Sequence, residues 1–597
     1  MFLATTSLSQ FWNKDEEILF LGSWCLRFDR RQEWEGLRYQ VMPSPWNDRK
    51  RFWDAARYVD GCTERMLGHL TEYLNAVHHV SFSSRYWRIL VGCWLFHYLH
   101  VVYDRYVHLT EAFRAAPRLR TVVLDPSSFH VPRDLSQTID LMVDDPYNLQ
   151  IFSQVLQGLG FHFPARELAG WIEESQGTSP KRNWLGPVKV LAQSSLGVLE
   201  NRIRWALARR WRIALCDLNL PWRTVWTMAW RTGFRALPLR TQGDWQTALP
   251  EPIFDQRRNG LAALRTTDPF EHVFVQGLPQ NLPALYLEGY SSAREEVLAK
   301  HPRIPRVITS AVGWYTNEPF KFLAAEAAGK GSRLVAMQHG GGYGVYHLSA
   351  QEMHEVRLCD SYFTWGWGQE NGSRLRNVPA PLLSELTNRV RRPRRDRLGS
   401  LVFIATINPR YFYRFNPQPQ GTQMEDYFNW EFRFLRALPE AIRDQLLMRL
   451  YPEDFGHQAR QRLLERFPKL RWDTLSSSHR SLHRSRLVVI DHVGTPLLEA
   501  MRANVPTVLY WNPFAWEVRE EAQPYFEQLR AVGILWDSPE AAATHVENVM
   551  AQPLEWWASG RVQDVREKFV ERYALGRENW WEQWGQALER EAALSRT

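Results

Sequence analysis

Short apolar runs ending in glycine, proline or aspartate alternate along this chain with longer stretches whose apolar residues fall three and four apart. The first pattern reads as a buried strand with its turn, the second as a helix with one face on a core. Ile18-Leu19-Phe20-Leu21 before Gly22 predicts an early strand. Two helices are predicted next, from about Lys50 through Leu74 and from Tyr86 to Ala116. Leu119 to Leu124, closing at Asp125-Pro126, predicts another strand. Residues 146–270 carry many Arg and Trp and few strand signals, so they read as a mostly helical insertion. Strands return at Val273-Phe274-Val275 and at Arg306-Val307-Ile308-Thr309. A helix from about Glu318 to Ala328 leads from the latter to Leu334-Val335-Ala336-Met337. Strand, helix and strand in that order form a βαβ unit, which implies a parallel sheet.

The alternation restarts beyond a basic, proline-containing stretch at 389–397, which reads as a linker. Strands are predicted at Leu401–Ala405, Met448–Tyr451, Leu487–Ile490 and Thr507–Tyr510. Helices are predicted at Pro439–Leu447, Phe455–Phe467 and Pro496–Ala503. The fold class is therefore α/β, with two Rossmann-like doubly wound domains. The first spans 1–390 with the insertion at about 146–270, and the second spans 398–550. Residues 551–597, with Trp556, Trp557, Trp580, Trp581 and Trp584, read as C-terminal helices that bury aromatic faces. The most apolar window, Ile89 to Val102, contains His97 and His100 and falls short of the ~18–20 apolar residues of a membrane span, so it reads as a buried helix.

At 597 residues the chain is too long for one core, which agrees with two domains. The net charge of +8 suits phosphate-bearing ligands or an anionic membrane face. The charge is spread along the chain, and zinc-finger spacing, RNP motifs and long basic helices are absent, so nucleic acid is not an expected partner. The five cysteines are far apart and form no CxxC pair, which argues against a disulfide framework and for a reducing compartment. Met1 to Asn13 lacks an apolar signal core, so a cytoplasmic location is expected, with peripheral contact at the inner membrane.

Three stretches carry candidate chemistry. Gln338-His339-Gly340-Gly341-Gly342-Tyr343-Gly344 follows a predicted strand. Glycines there let backbone N–H groups approach an anion, and a histidine at that edge moves a proton near neutral pH. The same residues also fit a glycine-rich turn with a structural histidine. Glu352 and Glu355, three apart beyond the loop, are alternative catalytic carboxylates beside His339. In Val489-Ile490-Asp491-His492-Val493-Gly494-Thr495-Pro496-Leu497-Leu498-Glu499, a strand runs through a glycine turn into a helix start, with Thr495 as N-cap. That is an anion site by geometry, with Glu499 placed to hold ribose. In Arg449-Leu450-Tyr451-Pro452-Glu453-Asp454, Pro452 and Glu453 fit either a surface on which a nucleotide base packs or a plain proline turn with acids at a helix start. A metal reading of His339, His347 and His354 matches no standard ligand spacing, and Asp144-Asp145 before Pro146 reads as a turn. Walker, GxGxxG and GxSxG motifs are absent, which disfavours a P-loop enzyme, a dinucleotide enzyme and an α/β-hydrolase.

Phe20-Leu21-Gly22-Ser23-Trp24-Cys25-Leu26, Ser84-Arg85-Tyr86-Trp87-Arg88-Ile89-Leu90, Gln338-His339-Gly340-Gly341 with Tyr343-Gly344, and Tyr362-Phe363-Thr364-Trp365-Gly366-Trp367 resemble blocks of one family. It is the leptospiral-type transferase family of O-antigen and surface-polysaccharide loci. More distantly, Pro452 and Gly494-Thr495 are similar to the cytidine- and phosphate-holding motifs of Kdo and CDP-polyol transferases, with tyrosine at 451 where histidine is usual. The resemblance implies a GT-B glycosyltransferase that uses a nucleotide-sugar donor, a CMP-linked ulosonic acid being one candidate. It implies a glycan or lipid-linked glycan acceptor and no metal or other cofactor. Donor contacts would come from Pro452, Glu453, Gly494, Thr495 and Glu499. Gln338, Gly340, Gly341, Gly342 and Tyr343 would face the acceptor, and His339, Glu352 or Glu355 would act in catalysis. A polyol-phosphate transferase of the same fold, or a non-catalytic nucleotide- or carbohydrate-binding protein, fits the same residues.

Overall fold

A computed structural model describes residues 1–168, 170, 211–241, 251–368, 373–389 and 399–595. Much of the expected helical insertion and the expected linker lie outside these residues. A small parallel sheet opens the chain, from β1 (Phe2–Ala4), β2 (Ile18–Phe20) and β3 (Tyr39–Val41). β4 (Val123–Leu124) pairs with β5 (Ala165–Arg166). The first six-stranded sheet contains β6 (Ile213–Cys216), β7 (Ala236–Pro238), β8 (Val307–Ser310), β9 (Arg333–Met337), β10 (Ser361–Thr364) and β11 (Leu375–Asn377). Its order is β11-β10-β9-β8-β6-β7, and every pairing is parallel. The second contains β12 (Ser400–Ile404), β13 (Leu446–Arg449), β14 (Arg471–Trp472), β15 (Ser485–Ile490), β16 (Thr507–Tyr510) and β17 (Leu535–Trp536). Its order, β14-β13-β12-β15-β16-β17, is also wholly parallel. Each order reverses once, so both sheets are doubly wound. Two such domains facing each other make the GT-B arrangement.

The helices Arg49–His78 and Ser84–Ala115 brace the first domain, each started by a side-chain cap, Asp48 and Ser83. Every residue from Ile89 to Val102 is buried, because a helix apolar on all sides has no face to give to water. Among the described residues no helix is long and apolar enough to cross a membrane.

Several predicted elements are corrected. Val273-Phe274-Val275 is not a strand but part of the helix Pro269–Asn281, which Asp268 caps and Pro269 starts. Phe270, Val273, Phe274 and Leu278 carry helical spacing that the β-branched pair obscured. The span read as a helical insertion contributes β6 and β7 to the first sheet. β6 is fully buried, and a short parallel strand covered on both faces shows no alternation to read. The helix expected at Pro439–Leu447 is only Glu440–Arg443, and the following strand lies at Leu446–Arg449. The helix expected at Phe455–Phe467 begins at Ala459, because Phe455 and Gln458 adopt left-handed backbone.

The largest hydrophobic cluster runs through both domains, while a second lies in the second domain alone. After β12, residues 405–420 leave the second domain and plug into the first. The Phe415 ring lies 5.2 Å from Trp46 and 5.0 Å from Phe52. Arg410 Nη2 donates to Asp145 Oδ2 at 2.7 Å, and Tyr411 donates to Asp145 Oδ1 at 2.6 Å. Asp145, expected in a plain turn, is thus a buried anchor between domains. The last helix, Trp580–Leu594, crosses back to cover the first sheet with Trp580, Trp584 and Leu588.

Candidate active site

His339 follows β9 at the carboxyl edge of the first sheet, where open parallel sheets hold their ligands. Gln338 fixes the loop's entry: its carbonyl oxygen accepts from Trp365 N at 2.9 Å and Trp367 Nε1 at 2.7 Å, and its amide donates to Gly340 O. His339 Nε2 lies 3.1 Å from Glu355 Oε1 and 2.7 Å from the Tyr343 hydroxyl. Glu355 is fully buried and also accepts from Tyr362 through Oε2. Carboxylate, histidine and tyrosine therefore form one network. Glu355 orients the imidazole through Nε2, and Nδ1 is the ring nitrogen outside this network. Arg414, on the plug from the second domain, donates to Gln351 Oε1 at 2.6 Å and to Tyr315, beside His339. It brings a guanidinium to this network, and no sequence pattern marked it. A cavity of about 30 Å³ opens next to His339, walled by Leu218, Asn219, Leu220 and Trp365.

Glu352 has a different place. It accepts from Gly344 N at 2.7 Å and from Arg519 Nη2 at 2.9 Å, and so ties the loop to the second domain. Burial raises its pKa against the pull of Arg519. The glycines also answer to protein contacts rather than to an anion. A Cβ on Gly341 would lie 2.2 Å from the Gly494 carbonyl carbon, and one on Gly342 would lie 2.2 Å from the Tyr346 ring. Gly344 has φ +71°, with Trp367 against it. The expected anion approach is thus corrected: Gly494-Thr495 of the opposite domain fills the space beside Gly341. Gly341 N donates to Thr495 Oγ1 at 3.1 Å, so the two sequence motifs meet across the domain interface.

Thr495 is the first helical residue and not the N-cap, which is Gly494. The turn lies at the end of β15 beside β12, where the second sheet reverses its order. Glu499 is buried one turn further on, accepting from Ser478 Oγ at 3.1 Å, with His479 Nε2 at 3.4 Å. Burial pushes its pKa up from 4.5 to about 7, against the pull of Ser478 and Arg449. Raised in the folded state, the group contributes stability at low pH that is lost as pH rises toward 7. Over that window the loss is expected to be about 3 kcal/mol. Urea denaturation of wild type and Glu499→Gln at about pH 5 and about pH 8 checks this. The wild type should lose stability relative to Glu499→Gln on going from the lower to the higher pH, and an offset that stays constant would refute the assignment. Pro452 and Glu453 are exposed beyond β13 on the rim of the cleft, opposite Asp140 of the first domain.

A larger cavity, of about 190 Å³, lies at the carboxyl ends of β15 and β16, against Asn47 and Arg49 of the first domain. Tyr427, Glu431, Asp491, Tyr510, Trp511 and Trp516 line it. Asp491 accepts from Tyr427 at 2.7 Å and pairs with His492 at 3.0 Å. Glu431 Oε2 and the Tyr510 hydroxyl are buried with no protein partner. Burial, then the Asp491 charge, holds Glu431 well above the usual carboxylate range; burial raises Asp491 too. Sequence reading passed over both acids. Asp491 sat in a quoted block, but Glu431 lies mid-helix with no local signal. His339, His347 and His354 do not converge on a metal position. Among the described residues one group, Cys62, Asp268 and Glu271, is close enough for shared ligation. Arg65 already occupies it, with Nη2 3.1 Å from Cys62 Sγ and 2.6 Å from Glu271.

A sequence model described as LIC12162 family transferase matches residues 1–588, nearly the whole chain. The chain belongs to the LIC12162 transferase family. It is therefore an enzyme of the transferase class. A comparison with curated proteins gives no match. Among solved structures it is similar to the trehalose-6-phosphate synthase OtsA, at 8% identity over 64% of this chain and 99% of that one, with a TM-score of 0.33. MurG of Acinetobacter baumannii is similar at 10% identity over 64% and 99%, TM-score 0.33. WaaG, a glycosyltransferase involved in lipopolysaccharide biosynthesis, is similar at 11% identity over 63% and 99%, TM-score 0.28. In this LIC12162 family member the histidine–glutamate network and the Gly494-Thr495 turn face each other across the domain boundary.

Proposed function

We propose that the enzyme is a metal-independent glycosyltransferase that moves a sugar from a nucleotide-sugar donor to a glycan or lipid-linked glycan acceptor. The observation that carries this reading is the meeting of His339–Glu355 with the switch-point turn Gly494-Thr495, joined by the Gly341–Thr495 hydrogen bond. Donor phosphate lies at the turn, where backbone N–H groups at a helix start favour an anion. The sugar ring enters the Asp491–Glu431 pocket, whose carboxyls and aromatic walls suit hydroxyls and a ring face. At about 190 Å³ that pocket is below the ~300 Å³ floor of small-molecule sites, so it takes one ring and not a whole nucleotide sugar.

His339 Nδ1 accepts the proton of the acceptor hydroxyl, and the buried Glu355 carboxylate stabilises the imidazolium so formed. Arg414 supplies positive charge beside that proton transfer. A CMP-linked ulosonic acid as donor and a surface-polysaccharide acceptor are the finer form of the proposal, supported by the motif resemblance. Thermal shift against CMP, CDP, UDP and GDP tests the donor site. A true ligand at a hundredfold its Kd stabilises by about 2.7 kcal/mol. Failure of all four nucleotides to move the wild-type transition would overturn the reading.

A further inference from the structure

The helix Trp222–Arg231 reads Trp222-Arg223-Thr224-Val225-Trp226-Thr227-Met228-Ala229-Trp230-Arg231. Its three tryptophans recur every fourth residue and share one stripe. Thr224 and Met228 on the opposite face are buried, as is Ala229 at the edge of the stripe, with Met228 in the core under the first sheet. The two ends of the stripe are left outside: Trp222 is 60% exposed and Trp230 is 62% exposed, with Trp226 half-buried between them. Each exposed ring carries a guanidinium, Arg223 at 5.7 Å from Trp222 and Arg231 at 5.2 Å from Trp230. Between Trp211 and Thr241 the chain has Arg212, Arg223, Arg231, Arg235 and Arg240 against one acid, Asp217, which Asn317 holds. Arg235 pairs with Glu589, whereas Arg223 and Arg231 pair with no carboxylate among the described residues.

Exposed tryptophan is costly in water and favoured at a bilayer's headgroup level, where the ring meets apolar chains and the N–H meets polar groups. Arginine beside it adds attraction to anionic headgroups. We propose that the Trp222–Trp226–Trp230 face, with Arg223 and Arg231, docks on the headgroup layer of an anionic phospholipid bilayer. Leu218, Asn219 and Leu220, immediately before this helix, wall the cavity beside His339. Docking therefore brings that cavity to the bilayer surface. The docking surface stands on these side chains and does not depend on the glycosyltransferase reading.

Sedimentation of the full-length protein with phosphatidylglycerol vesicles and with phosphatidylcholine vesicles, at low and high salt, tests it. The protein should pellet with phosphatidylglycerol and remain in solution with phosphatidylcholine. Trp222→Ser/Trp230→Ser should lower the bound fraction about tenfold. Arg223→Gln/Arg231→Gln should remove the preference for phosphatidylglycerol and its salt dependence. Both variants change exposed side chains, so their thermal unfolding should match the wild type. Equal sedimentation with either lipid, or wild-type binding by the arginine pair, would overturn the proposal. So would engagement of the stripe by a soluble glycan in the absence of vesicle binding.

Discussion

Replacing His339 by alanine is expected to lower turnover by about 10²–10⁴-fold, the usual contribution of a positioned proton acceptor. The fold should hold, because Glu355 keeps its hydrogen bonds from Tyr343 and Tyr362 when the imidazole is removed. Thermal unfolding of His339→Ala should therefore stay close to wild type. Donor-nucleotide binding should also persist, since the Gly494-Thr495 turn belongs to the other domain. Glu355→Gln gives the second arm. It keeps the shape of the network and removes the charge that stabilises the imidazolium, so it too should depress turnover without loss of nucleotide binding. Turnover is read as transfer of a radiolabelled sugar from a donor found in the nucleotide screen. Wild-type activity in His339→Ala would take the histidine out of the mechanism.

The second large effect concerns stability. Asp145→Ala should destabilise the protein by about 3–5 kcal/mol, the cost of leaving one partner of a buried ion pair uncompensated. Burial works against the Asp145 charge, but Arg410, Tyr411 and Ser7 together hold its pKa down to about 2. Depressed in the folded state, the group contributes stability above pH 3.8 that is lost as pH falls toward 2. The alanine variant strands Arg410 inside the first domain and frees the Tyr411 hydroxyl and the Ser7 amide. The paired replacement Asp145→Leu/Arg410→Met should recover part of the loss, because it removes the stranded charge but leaves the Tyr411 hydroxyl and Ser7 amide without their partner. Urea midpoints of the three proteins decide the matter. A single variant within about 1 kcal/mol of wild type would show that the pair is not an anchor.

The two tests separate two jobs that adjacent sequence features confuse. Glycines at 341, 342 and 344 looked like an anion cradle, and each proves to clear a path for another part of the protein. The family blocks around the loop have a similar task. Trp365 and Trp367 grip Gln338, while Trp24 lies against the Tyr411 of the plug. These residues hold the two domains and the loop in register, which is why they look like a signature although few of them face a ligand.

Local pattern alone determined that the chain is α/β, that two doubly wound domains follow each other, and that β9, β15 and the helix after Gly494 sit where they do. Those features rest on short-range physics: apolar runs, caps, and Pro and Gly at turns. It also marked His339, with Glu352 and Glu355 as equal alternatives, because a histidine at a strand end and carboxylates on the next helix lie close in the chain; which carboxylate meets the imidazole took the fold to decide. Only the tertiary structure decided that Gly341 meets Thr495, that Arg414 reaches Gln351 beside His339 and that Asp145 anchors Arg410. It alone paired Asp491 with Glu431 in a pocket and turned the Trp222–Trp230 stripe outward. These contacts join residues far apart in the chain, and their energies come from burial and charge pairing, which depend on what the fold brings alongside. A single residue's neighbours in sequence carry no record of that.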